Sequence, residues 1–109
     1  MNSPSLISLP VAVIGAGPVG LAAAAHLAER GIDFVVIEAG QAAGAAVQAW
    51  SHVRLFSPWT YNVDRAAARL LESTGWRAPE AEAFPTGGEL LADYLKPLSR
   101  TPAIAARLR

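Results

Sequence analysis

The chain has 109 residues, enough for one small domain and too few for two of ordinary size. Nine basic and nine acidic residues cancel, and Lys and Arg do not cluster, so neither a nucleic acid nor an anionic membrane is an expected partner. The absence of cysteine excludes disulfides and thiolate metal sites, and the two histidines lack metal-ligand spacing, so we expect no metal. The expected partner is a small ligand.

The beginning of the chain predicts no targeting signal. Residues 1–10 form a Ser- and Pro-containing stretch, expected to be a flexible leader, and they lack the Lys or Arg of a secretory signal. Residues 11–28 are apolar apart from His26, but their glycines and Pro18 argue against a membrane-spanning helix. We therefore expect a cytoplasmic protein in which residues 11–109 form the N-terminal part of a domain.

The most informative stretch is an apolar run that leads directly into closely spaced glycines. Apolar patterning predicts a strand over Val11–Ile14, a helix over Pro18–Arg30 and a second strand over Phe34–Glu38. Between the first strand and the helix the glycines have G-x-G-x-x-G spacing, at Gly15, Gly17 and Gly20. This combination is the fingerprint of a dinucleotide-binding βαβ unit.

Each of these residue types has a physical reason in a phosphate-binding loop. Gly15 permits the tight turn, Gly17 leaves room for a pyrophosphate, and Gly20 lets the helix pack close to the sheet. Proline suits the first helical turn, where the free N–H groups and the helix dipole face the diphosphate. The predicted loop consists of Gly15, Ala16, Gly17, Pro18, Val19 and Gly20.

The residues after the second strand extend the predicted site. Glu38 is placed to accept hydrogen bonds from ribose hydroxyls, and its charge would repel a 2′-phosphate, which disfavours NADP here. Ala39–Ala49 is a loop of small residues in which Gly40 and Gly44 allow a close approach of backbone to ligand. We include Ala39 and Gly44 among the expected cofactor-binding residues.

The rest of the chain predicts helices and no further strand. Asp64 can cap a helix over Arg65–Thr74, and Thr86–Glu89 is a capping box. Pro97 is expected to kink or end the helix that the capping box opens, and Thr101 to start a last helical turn. An apolar stripe predicts the buried face of the capped helix: Leu90, Leu91, Tyr94, Leu95 and Leu98.

These elements predict an incomplete α/β fold. Both strands are apolar throughout, which is typical of a parallel sheet buried on both faces, and no β-rich run follows Phe56. We expect a partial, truncated Rossmann-like βαβ unit followed by helices. A missing C-terminal domain or a second chain would complete the sheet.

Two groups of residues resemble a known family. The glycine motif and Glu38 resemble the N-terminal FAD-binding motif of two-dinucleotide-domain flavoproteins. The segment from Trp50 through Arg54-Leu-Phe-Ser-Pro58, and later Phe84-Pro-Thr and Tyr94-Leu95, resemble the flavin-containing monooxygenase and CzcO-like branch of that group. The likeness extends over most of residues 11–98.

The resemblance implies an oxidoreductase that binds FAD here and takes hydride from NAD(P)H bound to a second domain. In many members the reduced flavin activates O₂. By the same resemblance the three motif glycines hold the pyrophosphate and Glu38 the adenosine ribose. Gly44 falls where the family has a Gly-Gly pair, and Trp50 and Arg54 lie in the segment that approaches the flavin.

The chain also departs from the family pattern. Position 43 is Ala where the family usually has the first Gly, and the sequence contains neither a second G-x-G-x-x-G nor a late Gly-Asp flavin motif. We therefore predict no catalytic residue, and no NAD(P)H turnover by this chain alone. Two alternatives stay open: the NAD-binding domain of a dehydrogenase, and a non-catalytic, partner-dependent nucleotide-binding chain.

Three polar or aromatic residues have competing interpretations. His26 shares a helix face with Glu29 and Arg30, which predicts a solvated position. Arg54 either contacts FAD or pairs with a neighbouring acid. Trp50 either contributes to a flavin cavity or is simply buried.

Overall fold

The architecture is known from a computed structural model that describes residues 9–109, so most of the predicted leader lies outside the described residues. Strand β1 (Val11–Ile14) pairs in parallel with β2 (Phe34–Ile37), and helix α1 (Pro18–Glu29) forms the crossover. The register places Val11 opposite Phe34 and Ile14 opposite Ile37. The predicted βαβ unit is confirmed, with α1 and β2 each one residue shorter than expected.

Helix α1 begins and ends as its sequence predicts. Pro18 occupies the first turn, where no N–H is needed. At the other end Gly31 adopts a left-handed φ of +67°, and its N–H donates to Ala28 O at 3.1 Å, which ends the helix. Leu21, Ala24 and Ala25 are buried, so this face packs on the sheet and on the neighbouring helices.

The two faces of the sheet differ. Val13, Phe34 and Val36 are buried beneath α1, whereas Ile14 and Ile37, which alternate with them, are exposed, Ile14 to 76%. The expectation that both faces are buried is wrong for residues 9–109, because their helices cover one face and leave these two side chains uncovered. The strands are apolar throughout, but among the described residues helices pack against only one face of the sheet.

The second edge of β2 carries a short additional pairing. Leu108 forms a parallel bridge with Val36, supported by hydrogen bonds from Val36 N–H to Arg107 O at 2.9 Å and from Arg109 N–H to Val36 O at 2.8 Å. The described residues after Phe56 form no further strand, as expected, but the sequence did not predict this bridge. A single bridge depends on backbone groups, so it needs no apolar run and leaves no sequence signal.

The remaining regular elements of the described chain are short helices separated by loops. The helices are α2 (Ala45–Gln48), α3 (Trp59–Asn62), α4 (Arg65–Glu72), α5 (Gly87–Leu90), α6 (Lys96–Ser99) and α7 (Pro102–Ala105). Helices α2 and α3 escaped prediction because four residues are too few to show a helical period. Within residues 9–109 no helix is long and apolar enough to span a bilayer.

The capped helix continues through its proline. Thr86 Oγ1 accepts from Glu89 N–H at 3.1 Å and Glu89 Oε1 accepts from Thr86 N–H at 2.8 Å, so the predicted capping box is confirmed. A short π-helical segment over Leu91–Leu95, here called the π-turn, then leads directly into α6, which contains Pro97. The helix therefore does not end at Pro97. The predicted stripe of Leu90, Leu91, Tyr94, Leu95 and Leu98 is buried, as expected.

Helices α1 and α4 are joined by polar side chains. Asp64 caps α4 by accepting from Ala67 N–H at 3.0 Å, as predicted, and its other oxygen accepts from His26 Nε2 at 2.9 Å. The His26 side chain is 41% exposed, as predicted, but its bond to Asp64 was not predicted, because the partner lies 38 positions away and no local pattern shows it. Glu29 and Arg69 form a second, exposed link between the two helices.

Candidate functional site

The turn after β1 has the geometry that its glycines require. Gly15 has a φ of +94°, a conformation that side-chain-bearing residues rarely adopt, and its N–H donates to Ile37 O at 2.7 Å. A Cβ at Gly20 would lie 1.8 Å from Gly15 O. Gly20 therefore allows α1 to start directly against the turn, and this contact fixes where the end of the helix points.

The first turn of α1 presents free donors at the surface. Its N-terminal residue Gly17 provides no side-chain cap, and within the described residues the N–H groups of Val19 and Gly20 have no acceptor. A Cβ at Gly17 would have no atom within 4 Å, and Val19 is 84% exposed. Unpaired amides, the positive end of the helix dipole and open space are the features with which helix N-termini bind anionic groups.

Glu38 lies at the end of β2 and faces the glycine turn. Its Oε1 accepts from Ala16 N–H at 2.8 Å, and its Oε2 accepts from Gly40 N–H at 2.7 Å. These two backbone donors, that of Ala16 first, lower the pKa of the Glu38 carboxyl below its ordinary value. The side chain is therefore a fixed carboxylate, and each oxygen keeps acceptor capacity beyond its one N–H.

The loop after β2 returns to the glycine turn. Gly44 N–H donates to Ala16 O at 2.8 Å, and Gly44 has a left-handed φ of +77°. A Cβ at Gly44 would lie 2.3 Å from Leu91 Cδ1, so a side chain there would collide with the π-turn. Ala39 is exposed between the loop and Glu38, and Ala43 is buried. The structure thus brings Gly44 beside the predicted phosphate loop.

Trp50 and Arg54 lie in a different part of the molecule. The Trp50 ring packs on the backbone of Gly87, where a Cβ would lie 2.6 Å from Trp50 Cε3. Arg54 forms an antiparallel bridge with Thr86, and its guanidinium donates to Phe84 O and lies 3.7 Å from Glu89 Oε1. Within residues 9–109 no hydrogen bond or ion pair links them to the glycine turn.

The site therefore consists of two groups. The first combines the glycine turn, the N-terminus of α1, Glu38 and Gly44, and the second is the strand-like pairing around Arg54 and Thr86. Phe56 is fully exposed beside this pairing. The sequence predicted Gly40 only as a position where backbone can approach a ligand, not that its N–H donates to the Glu38 carboxylate. The signal that could have predicted this bond is a glycine two positions after the acid, because a side chain at Gly40 would keep its backbone from approaching the carboxylate.

The chemistry of the first group is binding rather than proton transfer. It offers backbone donors for an anion and one carboxylate for hydroxyl groups. That set fits an adenine dinucleotide, because the diphosphate needs the donors and the ribose needs the acceptor.

Comparison with known proteins agrees with this geometry. The family model described as FAD dependent oxidoreductase matches residues 10–103. None of the curated proteins compared with the chain matches it.

Solved structures show the same fold at low sequence identity. A crystal structure of OTEMO in complex with FAD and NADP has a TM-score of 0.69 and 24% identity, and the match covers 99% of this chain and 19% of that one. An oxidized steroid monooxygenase bound to NADP has a TM-score of 0.68 and 24% identity, covering 92% of this chain and 18% of that one. The chain therefore spans about a fifth of the length of these structures.

Proposed function

Because the chain belongs to the FAD-dependent oxidoreductases, we propose that the turn at residues 15–20 holds the pyrophosphate of FAD and that Glu38 holds the adenosine ribose. The observation that supports this best is the pairing of free amides at the start of α1 with a fixed carboxylate at the end of β2. When bound, FAD supplies the redox chemistry, and the residues of this chain bind and orient it.

The individual residues have separate proposed roles. Gly15 shapes the turn, Gly17 leaves the approach to the diphosphate open, and Gly20 sets the helix position. Ala16, Pro18 and Val19 supply the backbone between these glycines, and Ala39 and Gly44 border the adenosine side. The carboxylate at position 38 favours a ribose with free hydroxyls over one that carries a 2′-phosphate.

The segment around Trp50 and Arg54 is proposed to approach the flavin end of FAD. Both side chains are exposed, and the fully exposed Phe56 lies between them and Trp59 in the sequence. Glu89 Oε1 lies 3.7 Å from Arg54 Nη1 and partly compensates the charge of the guanidinium. Because a guanidinium has five N–H donors, Arg54 keeps donors for a ligand. This proposal joins the two interpretations of Arg54, since the same guanidinium can pair with an acid and face a cofactor.

The activity of the whole protein is a further proposal. The matched structures include a steroid monooxygenase bound to NADP and OTEMO in complex with FAD and NADP. We propose a monooxygenase-like oxidoreductase in which NAD(P)H is the reductant, bound outside residues 11–109, which form the N-terminal part of the FAD-binding domain. The uncovered sheet residues Ile14 and Ile37 support a partner or a further domain on that face.

Calorimetric titration of the chain with FAD, NAD and NADP tests the site. We expect FAD to bind most tightly and Gly17→Val to abolish binding, because the new side chain occupies the approach to the diphosphate. Glu38→Ala should weaken binding by about 1.5–3 kcal/mol, the range for a hydrogen bond to a charged group.

Two controls separate binding from folding. Thermal unfolding of Gly17→Val should match the parent chain, since no atom lies within 4 Å of the added Cβ. Glu72→Gln removes an exposed carboxylate at the far end of α4 and should leave FAD affinity unchanged. Tighter binding of NADP than of FAD and NAD would overturn the proposed site.

A further inference from the structure

We propose that Glu38 is a positioning residue as well as a ribose ligand: its carboxylate clamps the glycine turn to the loop after β2 before any cofactor binds. The clamp consists of the two hydrogen bonds from Ala16 N–H and Gly40 N–H to the two carboxylate oxygens. Both hydrogen bonds are between groups of this chain, so only the consequence of the clamp for FAD affinity rests on the proposed function.

Ala16 is the point at which the two loops meet. It is fully buried, and both of its backbone polar groups bond to the segment after β2. Its N–H donates to the Glu38 carboxylate, and its C=O accepts from Gly44 N–H. A buried N–H without an acceptor is unfavourable, so the carboxylate at position 38 is needed to satisfy this group. Loss of the carboxylate therefore frees the turn at its centre.

Gly40 allows the other half of the clamp. A Cβ at this position would lie 2.4 Å from the Cβ of Ala45 and 3.0 Å from Glu38 Oε2. The backbone can approach the carboxylate to 2.7 Å because no side chain intervenes. A substitution at Gly40 therefore opens the clamp while the carboxylate itself stays in the chain.

The clamp explains how a side chain on the surface loop can act on the phosphate site. With both oxygens engaged, Glu38 fixes Ala16 in position, and Ala16 lies between the two glycines that face the diphosphate. The capacity left on each oxygen is free for the ribose hydroxyls. One carboxylate thus joins the ribose end of the site to the phosphate end, and preorganisation of this kind lowers the ordering cost of binding.

The amide signals of Ala16 and Gly40 provide the direct test. In the ligand-free, isotope-labelled chain we expect both amide protons to shift together as pH falls, with one midpoint below the ordinary glutamate pKa of about 4.3. In Glu38→Gln this shared titration should disappear, because the amide does not ionise. In Glu72→Gln it should persist. An Ala16 titration that is the same in Glu38→Gln and in the parent chain would overturn the clamp.

Hydrogen exchange and FAD titration complete the test. Glu38→Gln has one acceptor oxygen in place of two, so at least one of the two amide protons should exchange tenfold faster. Gly40→Ala, which keeps the carboxylate, should weaken FAD binding at least threefold. Unchanged exchange in Glu38→Gln, or parent-like FAD affinity in Gly40→Ala, would contradict the proposal. If the parent chain binds no FAD, the proposed function fails while the amide titration still decides the clamp.

Discussion

The βαβ unit and the helices that follow it use apolar residues in different ways. In the helices after β2 the predicted apolar stripe is buried in the core, and Leu95, Leu98 and Ile104 have no exposed surface. In the βαβ unit Ile14 and Val19 are largely exposed although they lie beside buried neighbours. The capped helix therefore has its apolar residues covered, whereas the βαβ unit leaves some of its own at the surface.

This difference follows from what each region must leave free. The proposed phosphate site needs unpaired amides and room for a ligand, and Gly17 at the start of α1 has no side-chain cap and open space around it. A supporting helix needs its apolar face covered, because burial is its main source of stability. Three substitutions test this comparison, from the largest expected effect to the smallest.

Leu95→Ala should destabilise the chain most. Leu95 is fully buried in the π-turn, and removing its buried methyl groups leaves a cavity that costs about 2–5 kcal/mol of unfolding free energy. Ile14→Ala is the matched control on the exposed face of the sheet, expected to change stability by less than about 0.5 kcal/mol. Urea denaturation measures both, and equal losses would remove the distinction between the two regions.

Gly20→Ala should come next and should affect both stability and binding. Its Cβ would lie 1.8 Å from Gly15 O, so the helix must move away from the turn, at a cost of about 1–3 kcal/mol. The displaced helix would also turn its amides away from the proposed phosphate position. Denaturation and FAD titration would show losses in both quantities, in contrast to Gly17→Val, and a parent-like affinity in a destabilised Gly20→Ala would contradict the role of helix position.

Asp64→Ala should have the smallest effect, and it should depend on pH. Burial raises the pKa of Asp64, but the hydrogen bonds from Ala67 N–H and His26 outweigh it and leave the pKa lowered. Because the folded pKa is below the unfolded one, the stabilisation is complete above about pH 4 and is lost as pH falls through the folded value. We expect a loss of about 1 kcal/mol near neutral pH, as for other helix caps.

The pH dependence provides the control for this prediction. The free energies of unfolding of the parent chain and of Asp64→Ala should approach each other as pH falls below about 4, because the ionised cap is progressively protonated. Asp93→Ala changes an exposed aspartate whose side chain makes no hydrogen bond among the described residues, and it should show no such convergence. A constant difference at all pH values would argue against an ionised cap.

The sequence predicted the elements that carry a local signal. The glycine spacing, the capping box and the helical stripe each follow from interactions among nearby residues, and the structure confirms the βαβ unit, the Thr86–Glu89 cap and the burial of Tyr94. The resemblance to the flavoprotein family is likewise confirmed by the family match.

Features that depend on distant partners could not be predicted. The bond from His26 to Asp64, the clamp from Glu38 to Ala16 and the bridge from Leu108 to Val36 join residues that no short pattern connects. The exposed face of the sheet could not be predicted either, because it depends on which distant helices pack against each side. The individual cofactor contacts stay predictions.

The bridge between Val36 and Leu108 has a consequence for the order in which the chain folds. Pairing of β1 with β2 closes a loop of about twenty residues, whereas this bridge closes one of about seventy, which costs roughly 1 kcal/mol more in loop entropy. It gains only a few hydrogen bonds in return. The bridge should form after the intervening helices have packed, and in native-state hydrogen exchange its amides should open before those between the two strands.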